Sequence, residues 1–134
     1  MTDIDEIFND SYERCLKKGD LISRFYAKYV LSNEIVAEKF SHTDMAKQKR
    51  MLEASLHMVM ALSAAKTEKA EAHFQRIGIA HGRKQHNIAP YLYDLWMTSL
   101  LAAVEECDDQ YDEQVKAAWT ELISNSINIM KSMY

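Results

Sequence analysis

Residues 25–40 read FYAKYVLSNEIVAEKF, and this stretch decides the class of fold. Its first half continues a pattern that begins at Ile22. Apolar residues recur three and four positions apart, which is the spacing of one face of an amphipathic helix: Ile22, Phe25, Tyr26, Tyr29 and Val30. The pattern is lost around Ser32-Asn33, and the chain then passes through IVAEKF into a polar stretch at 41–44. We therefore expect a helix followed by a corner.

The same helical spacing extends towards both ends of the chain. A first helix, expected to end near Gly19, carries Ile4, Ile7, Phe8, Tyr12, Cys15 and Leu16. After the corner, Thr43 or Asp44 can cap a long helix with an inward face of Gln48, Leu52, Ser55, Leu56, Val59 and Leu62. A shorter helix follows, with Ala70, Phe74, Ile77 and His81 on one face.

Two further helices complete the chain. Pro90 stands where the first turn of the next helix begins, and that helix presents Leu92, Leu95, Trp96, Ser99, Leu100, Ala103, Val104 and Cys107. An acidic turn from Glu105 to Asp112 separates it from a last helix with Val115, Trp119, Leu122, Ile123, Ile127, Met130 and Met133. Because no linker or internal repeat interrupts the pattern, we predict a single all-α domain over 1–134.

Composition excludes several classes of protein. Three glycines and one proline in 134 residues are too few for a multi-stranded sandwich with frequent tight turns. The formal net charge of -4 disfavours nucleic acid and anionic lipid as partners. No apolar run is long enough to cross a membrane and the first residues do not resemble a secretory signal, so a cytoplasmic protein is expected, with Cys15 and Cys107 reduced.

Inward-facing polar groups are the candidates for chemistry, and His81 stands out among them. A histidine on an apolar helical face is either a hydrogen-bonded core residue or a metal ligand. No Glu-x-x-His pair of the di-iron type is present. The acidic turn starting at Asp108 resembles a calcium loop in charge but has no glycine at its sixth position and a tryptophan, Trp119, at its twelfth, so calcium is excluded.

The order of several residues resembles the bacterial globin family over nearly the whole chain. Phe25-Tyr26, Phe40, Gln48 with Leu52 one turn later, and His81 follow one another as they do in that family. The stretch from Phe25 to Phe40 is similar to the haem domain of flavohaemoglobins, and IAPYLYDLWMTSLLAAVEE with the AAW of the final helix is similar to the last two helices of a globin. The resemblance implies a globin fold of about six to eight helices around one haem b.

The resemblance also implies roles for individual residues. His81 would be the proximal iron ligand, Phe40 the ring against the porphyrin face, and Leu52 an apolar distal contact, with Tyr26 and Gln48 as the distal polar pair. Ile77 and Ile88, on either side of His81, would complete the haem-binding set.

Two positions leave alternatives open. The segment between Phe40 and Gln48 is about two residues shorter than in flavohaemoglobins, so Lys47 or Lys49 can compete with Gln48 for the distal position. The turn after His81 is about two residues longer, which makes His86 a competing proximal ligand. Four basic residues are candidates for pairing with the haem propionates: Lys47, Arg83, Lys84 and His86.

Three functions follow as hypotheses. The first is a gas-binding protein for storage, delivery or sensing of oxygen, nitric oxide or carbon monoxide. The second is a nitric oxide dioxygenase that depends on a separate reductase, and the third is a haem-free helical interaction module. The sequence leaves open whether the protein is a monomer or a homodimer.

Overall fold

The computed structural model describes residues 4–65, 72, 74–76 and 91–131. This part of the chain contains no strand, and residues 74–76 are helical. The helices with defined bounds are α1 (Ile4–Lys18), α2 (Leu21–Ser32), α3 (Glu34–Phe40), α4 (Met45–Ala65), α5 (Tyr91–Cys107) and α6 (Glu113–Lys131). The predicted all-α class is confirmed. None of these described helices is long and apolar enough to span a bilayer.

The first helix ends where the sequence predicts it to end. The Gly19 N–H donates to the Cys15 carbonyl at 3.0 Å, and Gly19 has a φ of 85°, in the left-handed region that favours glycine. The predicted face of α1 is shifted by part of a turn. Ser11 is fully buried, whereas Leu16 is 53% exposed, because a face centred on Phe8, Ser11 and Cys15 leaves Leu16 at its margin.

The corner after α2 contains a helix that the sequence pattern did not reveal. Residues 34–40 form α3, and the Asn33 side chain caps it by accepting a hydrogen bond from the Ile35 N–H at 2.7 Å. Two candidates were open for the cap of α4, and the structure selects Asp44, whose carboxylate accepts from the Lys47 N–H at 3.2 Å.

The core is built from two main helix pairs, α2 with α5 and α1 with α6. Its largest fully buried side chains include Trp119, Phe8 and Phe25. Phe8 and Trp119, with ring centroids 4.5 Å apart, join α1 to α6. Phe25 and Trp96, with ring centroids 5.2 Å apart, join α2 to α5. The second pair fixes α2 against α5, and both helices border one cavity together with α4.

A buried polar cluster ties together α1, the acidic turn and α6. The Asp108 side chain is fully buried and accepts from Arg14 Nε at 2.5 Å, Arg14 Nη2 at 2.9 Å, Ser11 Oγ at 2.6 Å and the Gln110 N–H at 2.9 Å. Trp119 Nε1 donates to Ser11 Oγ at 2.9 Å, which extends the network to α6. The acidic turn therefore anchors α1 to α6 through a carboxylate with several charge-assisted hydrogen bonds.

Candidate functional site

The described helices enclose a cavity of about 400 Å³, a volume within the usual range of small-molecule and cofactor sites. All of the helices bounded above except α1 contribute to its wall, together with Phe74. The aromatic lining consists of Tyr26, Tyr29, Phe40, Phe74, Tyr93 and Trp96. The aliphatic lining consists of Val36, Met51, Leu52, Leu56, Val59, Leu92, Ile123 and Ile127, and the polar lining of Lys39, Thr43, Gln48, Ser55 and Ser126.

Four of the residues predicted to bind haem meet at this cavity. Tyr26 enters from α2, Phe40 from the end of α3, and Gln48 and Leu52 from successive turns of α4. Gln48 is part of the wall, whereas its competitors Lys47 and Lys49 are not. The fold therefore brings together four residues from three successive helices. The contact of these residues with a cofactor stays a prediction.

The remaining predicted site residues lie outside the described residues. These are His81, Ile77 and Ile88, together with the competing ligand His86 and the basic residues Arg83 and Lys84. Their roles continue to rest on the sequence resemblance alone.

Tyr26 combines a buried ring with a protonated hydroxyl. The residue is 5% exposed, and its ring meets that of Phe40 edge-on at a centroid distance of 5.8 Å. The hydroxyl donates to the Gln48 backbone carbonyl at 3.3 Å, a long hydrogen bond. Burial raises the pKa of Tyr26 to about 12, so the hydroxyl stays protonated well above neutral pH, and its single proton reaches a ligand in the cavity only by leaving the Gln48 carbonyl.

Tyr29 lies one turn further along α2, and its hydroxyl has a different hydrogen-bond acceptor. Its hydroxyl donates to the Leu92 carbonyl at 3.1 Å and so ties α2 to the first turn of α5. Its ring stacks on Phe25, with centroids 5.5 Å apart. The two tyrosines therefore share a wall of the cavity, and each hydroxyl donates to a backbone carbonyl, with the shorter hydrogen bond at Tyr29.

Lys39 is a cavity residue that the sequence analysis did not identify. It is half-buried on α3 and lines the cavity, whereas Lys47, a candidate for the propionates, is exposed and does not. A signal was present in the sequence, because Val36, Lys39 and Phe40 have the spacing of one helical face. It was missed because α3 was taken for a connecting segment.

The described residues thus form helices around an aromatic-lined cavity, without strands, as a globin fold does. Comparison with protein-family models and with curated proteins gives no match. Among solved structures, the chain is similar to a protein of Pseudomonas aeruginosa PAO1 described as structurally highly homologous to a human hemoglobin. The two are 30% identical over 98% of each chain, with a TM-score of 0.92. The chain therefore belongs to the globin family.

The residues of the cavity fit an iron porphyrin. Aromatic and aliphatic side chains supply flat apolar walls on several sides, which suit the faces of a large planar ring. Lys39, a cation on the wall, would suit the carboxylates at the edge of such a ring. The described residues contain no group of three or more histidine, cysteine or acidic side chains that could hold a metal ion without a porphyrin.

Proposed function

We propose that this globin holds one haem b in the cavity between α2 and α4 and reversibly binds a diatomic gas, with oxygen as the main ligand. The observation that carries the proposal is the apolar, aromatic-lined cavity at which Tyr26, Phe40, Gln48 and Leu52 meet. Bound there, haem supplies an iron with an open coordination position for oxygen, nitric oxide or carbon monoxide. Storage, delivery and sensing are all consistent with that chemistry.

The chain contributes packing and hydrogen-bond donors to this function. Phe40 packs against the ring, and Leu52 keeps the space above it apolar, so water is disfavoured there. Tyr26 and the side chain of Gln48 direct donors into the same space, where a polar gas ligand with partial negative charge gains a hydrogen bond. His81, with Ile77 and Ile88 beside it, is assigned to the opposite face of the ring from the sequence resemblance.

An absorption spectrum tests the proposal directly. Purified protein, reconstituted with ferric haem where necessary, is expected to show a Soret band that shifts on reduction and again on addition of carbon monoxide. A protein that takes up no haem under these conditions would contradict the proposal and favour the haem-free interaction module.

Tyr26→Phe is expected to accelerate oxygen release about tenfold, because the change removes one hydrogen-bond donor and keeps the volume of the ring. The donor acts after the ligand has arrived, so the effect appears in the dissociation rate. Stopped-flow measurement of oxygen release from the ferrous protein checks this, and the less polar ligand carbon monoxide should respond far less.

Tyr29→Phe is the matched control for that experiment. It removes the same atom from the same cavity wall, but from a hydroxyl whose hydrogen bond to the Leu92 carbonyl, at 3.1 Å, is shorter than the 3.3 Å bond from Tyr26 to the Gln48 carbonyl. Its main effect should be a loss of stability of about 1 kcal/mol, with little change in oxygen release. Equal oxygen release rates in wild type and Tyr26→Phe would show that Tyr26 is not a donor to the ligand.

Lys39→Met is expected to weaken haem binding by up to about tenfold, because it removes the cation that pairs with the haem carboxylates while keeping much of the side-chain length. The dimethyl ester of haem, which has no carboxylates, should bind to wild type and Lys39→Met with similar affinity. Titration of the haem-free protein, followed at the Soret band, measures the affinity for haem and the affinity for its dimethyl ester.

Lys47→Met provides the control for Lys39→Met, because Lys47 is exposed and lies off the cavity wall. If Lys47→Met weakens haem binding more than Lys39→Met, the carboxylates lie towards the first turn of α4 and the assignment of Lys39 is wrong.

A further inference from the structure

Ser126 places a hydroxyl on the cavity wall that nothing in the described part of the chain satisfies. The residue is 2% exposed, and its Oγ has no hydrogen-bond partner among the described residues. It lines the cavity from α6 between Ile123 and Ile127, which are both hydrocarbon contacts. An unpaired polar atom therefore lies at the cavity wall, on a helix face whose neighbouring wall residues, Ile123 and Ile127, are hydrocarbon.

A buried hydroxyl without a partner is unfavourable, and a molecule that fills the cavity can compensate for this by supplying a hydrogen-bond acceptor. In this respect Ser126 differs from Ser55, another serine of the cavity wall, whose Oγ donates to the Met51 carbonyl at 2.9 Å. Ser126 is thus the serine of the described wall whose donor is available to a ligand.

The position of Ser126 indicates which edge of a porphyrin it would meet. Lys39, on α3, is half-buried and suits the carboxylate edge, whereas Ser126, on α6, is almost completely buried. α3 and α6 are not among the helix pairs that pack closely on one another, so the two polar groups belong to different walls. A porphyrin with its carboxylates at Lys39 would present a different edge to the buried α6 wall, and in haem b the edge remote from the carboxylates carries the vinyl groups.

We infer that Ser126 determines specificity for the buried edge of the porphyrin: it favours a hydrogen-bond acceptor there over a hydrocarbon group of similar size. The inference rests on the proposed function and deepens it. Haem b fits the cavity but does not use the hydroxyl, whereas a porphyrin with a carbonyl oxygen on that edge gains one hydrogen bond. Such a bond corresponds to about a tenfold gain in affinity.

Two iron porphyrins that differ only at this edge provide the test. Iron diacetyldeuteroporphyrin carries two acetyl groups where iron mesoporphyrin carries two ethyl groups of similar size. The affinity of the haem-free protein for each is measured by titration at the Soret band. The quantity compared between variants is the ratio of the two affinities, because the electronic effect of the acetyl groups on the iron then cancels.

Ser126→Ala is expected to lower the preference for the acetyl porphyrin about tenfold. Ser124→Ala makes the same substitution on the same helix at a half-buried position off the cavity wall and should leave the ratio unchanged. The carbonyl stretching frequency of the bound acetyl porphyrin, measured by resonance Raman spectroscopy, should be lower in wild type than in an apolar solvent. That measurement needs no variant and stands even where Ser126→Ala folds poorly.

The outcomes separate this inference from the proposed function. Equal affinity ratios in the three proteins, together with an unshifted carbonyl frequency in wild type, would overturn the role of Ser126 and leave haem binding intact. A chain that binds neither porphyrin would overturn the proposed function and the inference with it.

Discussion

Replacement of His81 by alanine is expected to abolish the retention of stoichiometric haem. In the proposed function His81 supplies the neutral imidazole that binds the iron, and no other predicted contact forms a bond to the metal. Without it, haem is held by apolar packing and by Lys39 alone. The ratio of haem to protein after purification, from absorbance at the Soret band and from iron analysis, measures the loss.

Imidazole added in solution gives this experiment a second readout. In His81→Ala, a small imidazole can fill the space left by the removed histidine side chain and restore the Soret band. A variant that has lost its fold would not regain that band. His86→Ala is the matched control and should retain haem. Retention in His81→Ala combined with loss in His86→Ala would move the ligand to the turn after Gly82 and would contradict the assignment made from the sequence.

The helical framework could be predicted from the sequence because its signals are local. Three- and four-residue spacing defines the buried faces of α5 and α6, and Leu100, Val104 and Trp119 are buried as expected. Caps and turn residues such as Gly19 and Asp44 place helix ends to within a residue or two. The prediction failed at α3, because seven residues give only one or two turns of the pattern and were taken for a connecting segment.

The candidate site was predictable only in part, because its residues meet through tertiary packing. Tyr26 and Gln48 were found through their order along the chain, which the family resemblance supplied. Lys39 and Ser126 were missed because neither belongs to that pattern, and their position on the cavity wall follows from how α3 and α6 pack. The resemblance to flavohaemoglobins, and the roles of Ile77, Ile88 and His81, stay predictions.

The buried state of Asp108 is a further feature that sequence reasoning could not supply. A run of acidic residues is usually a solvated turn, and Asp109 next to it is indeed exposed. Asp108 is buried because its neighbours on α1, Arg14 and Ser11, are about ninety positions away in the chain and offer donors to both carboxylate oxygens. Such a partner set can be recognised only once the helices are packed.

Asp108→Asn is therefore expected to lower the free energy of unfolding by about 3 kcal/mol. The change keeps the shape of the side chain but leaves Arg14 without its counter-ion and disturbs the hydrogen bonds from Ser11 and Gln110. Arg14 is 24% exposed, so water replaces part of the lost interaction and the lower end of the range for buried pairs applies. Urea unfolding followed by circular dichroism measures the difference, and Asp109→Asn should change it by no more than about 0.5 kcal/mol.

The same pair of proteins should differ in their response to acid. Burial alone raises the pKa of Asp108, but hydrogen bonds from Arg14, Ser11 and the Gln110 N–H more than offset it and hold that pKa below its usual range. A carboxyl group whose pKa is lowered by folding stabilises the protein above its unfolded pKa of about 3.9, and that contribution is lost as the pH falls through the lower, folded pKa. The stability advantage of wild type over Asp108→Asn should thus be constant from about pH 7 to pH 5 and shrink below about pH 4. All other carboxyl groups are common to both proteins, so a difference that stays constant down to about pH 2 would show that the Asp108 carboxylate is not the group that titrates.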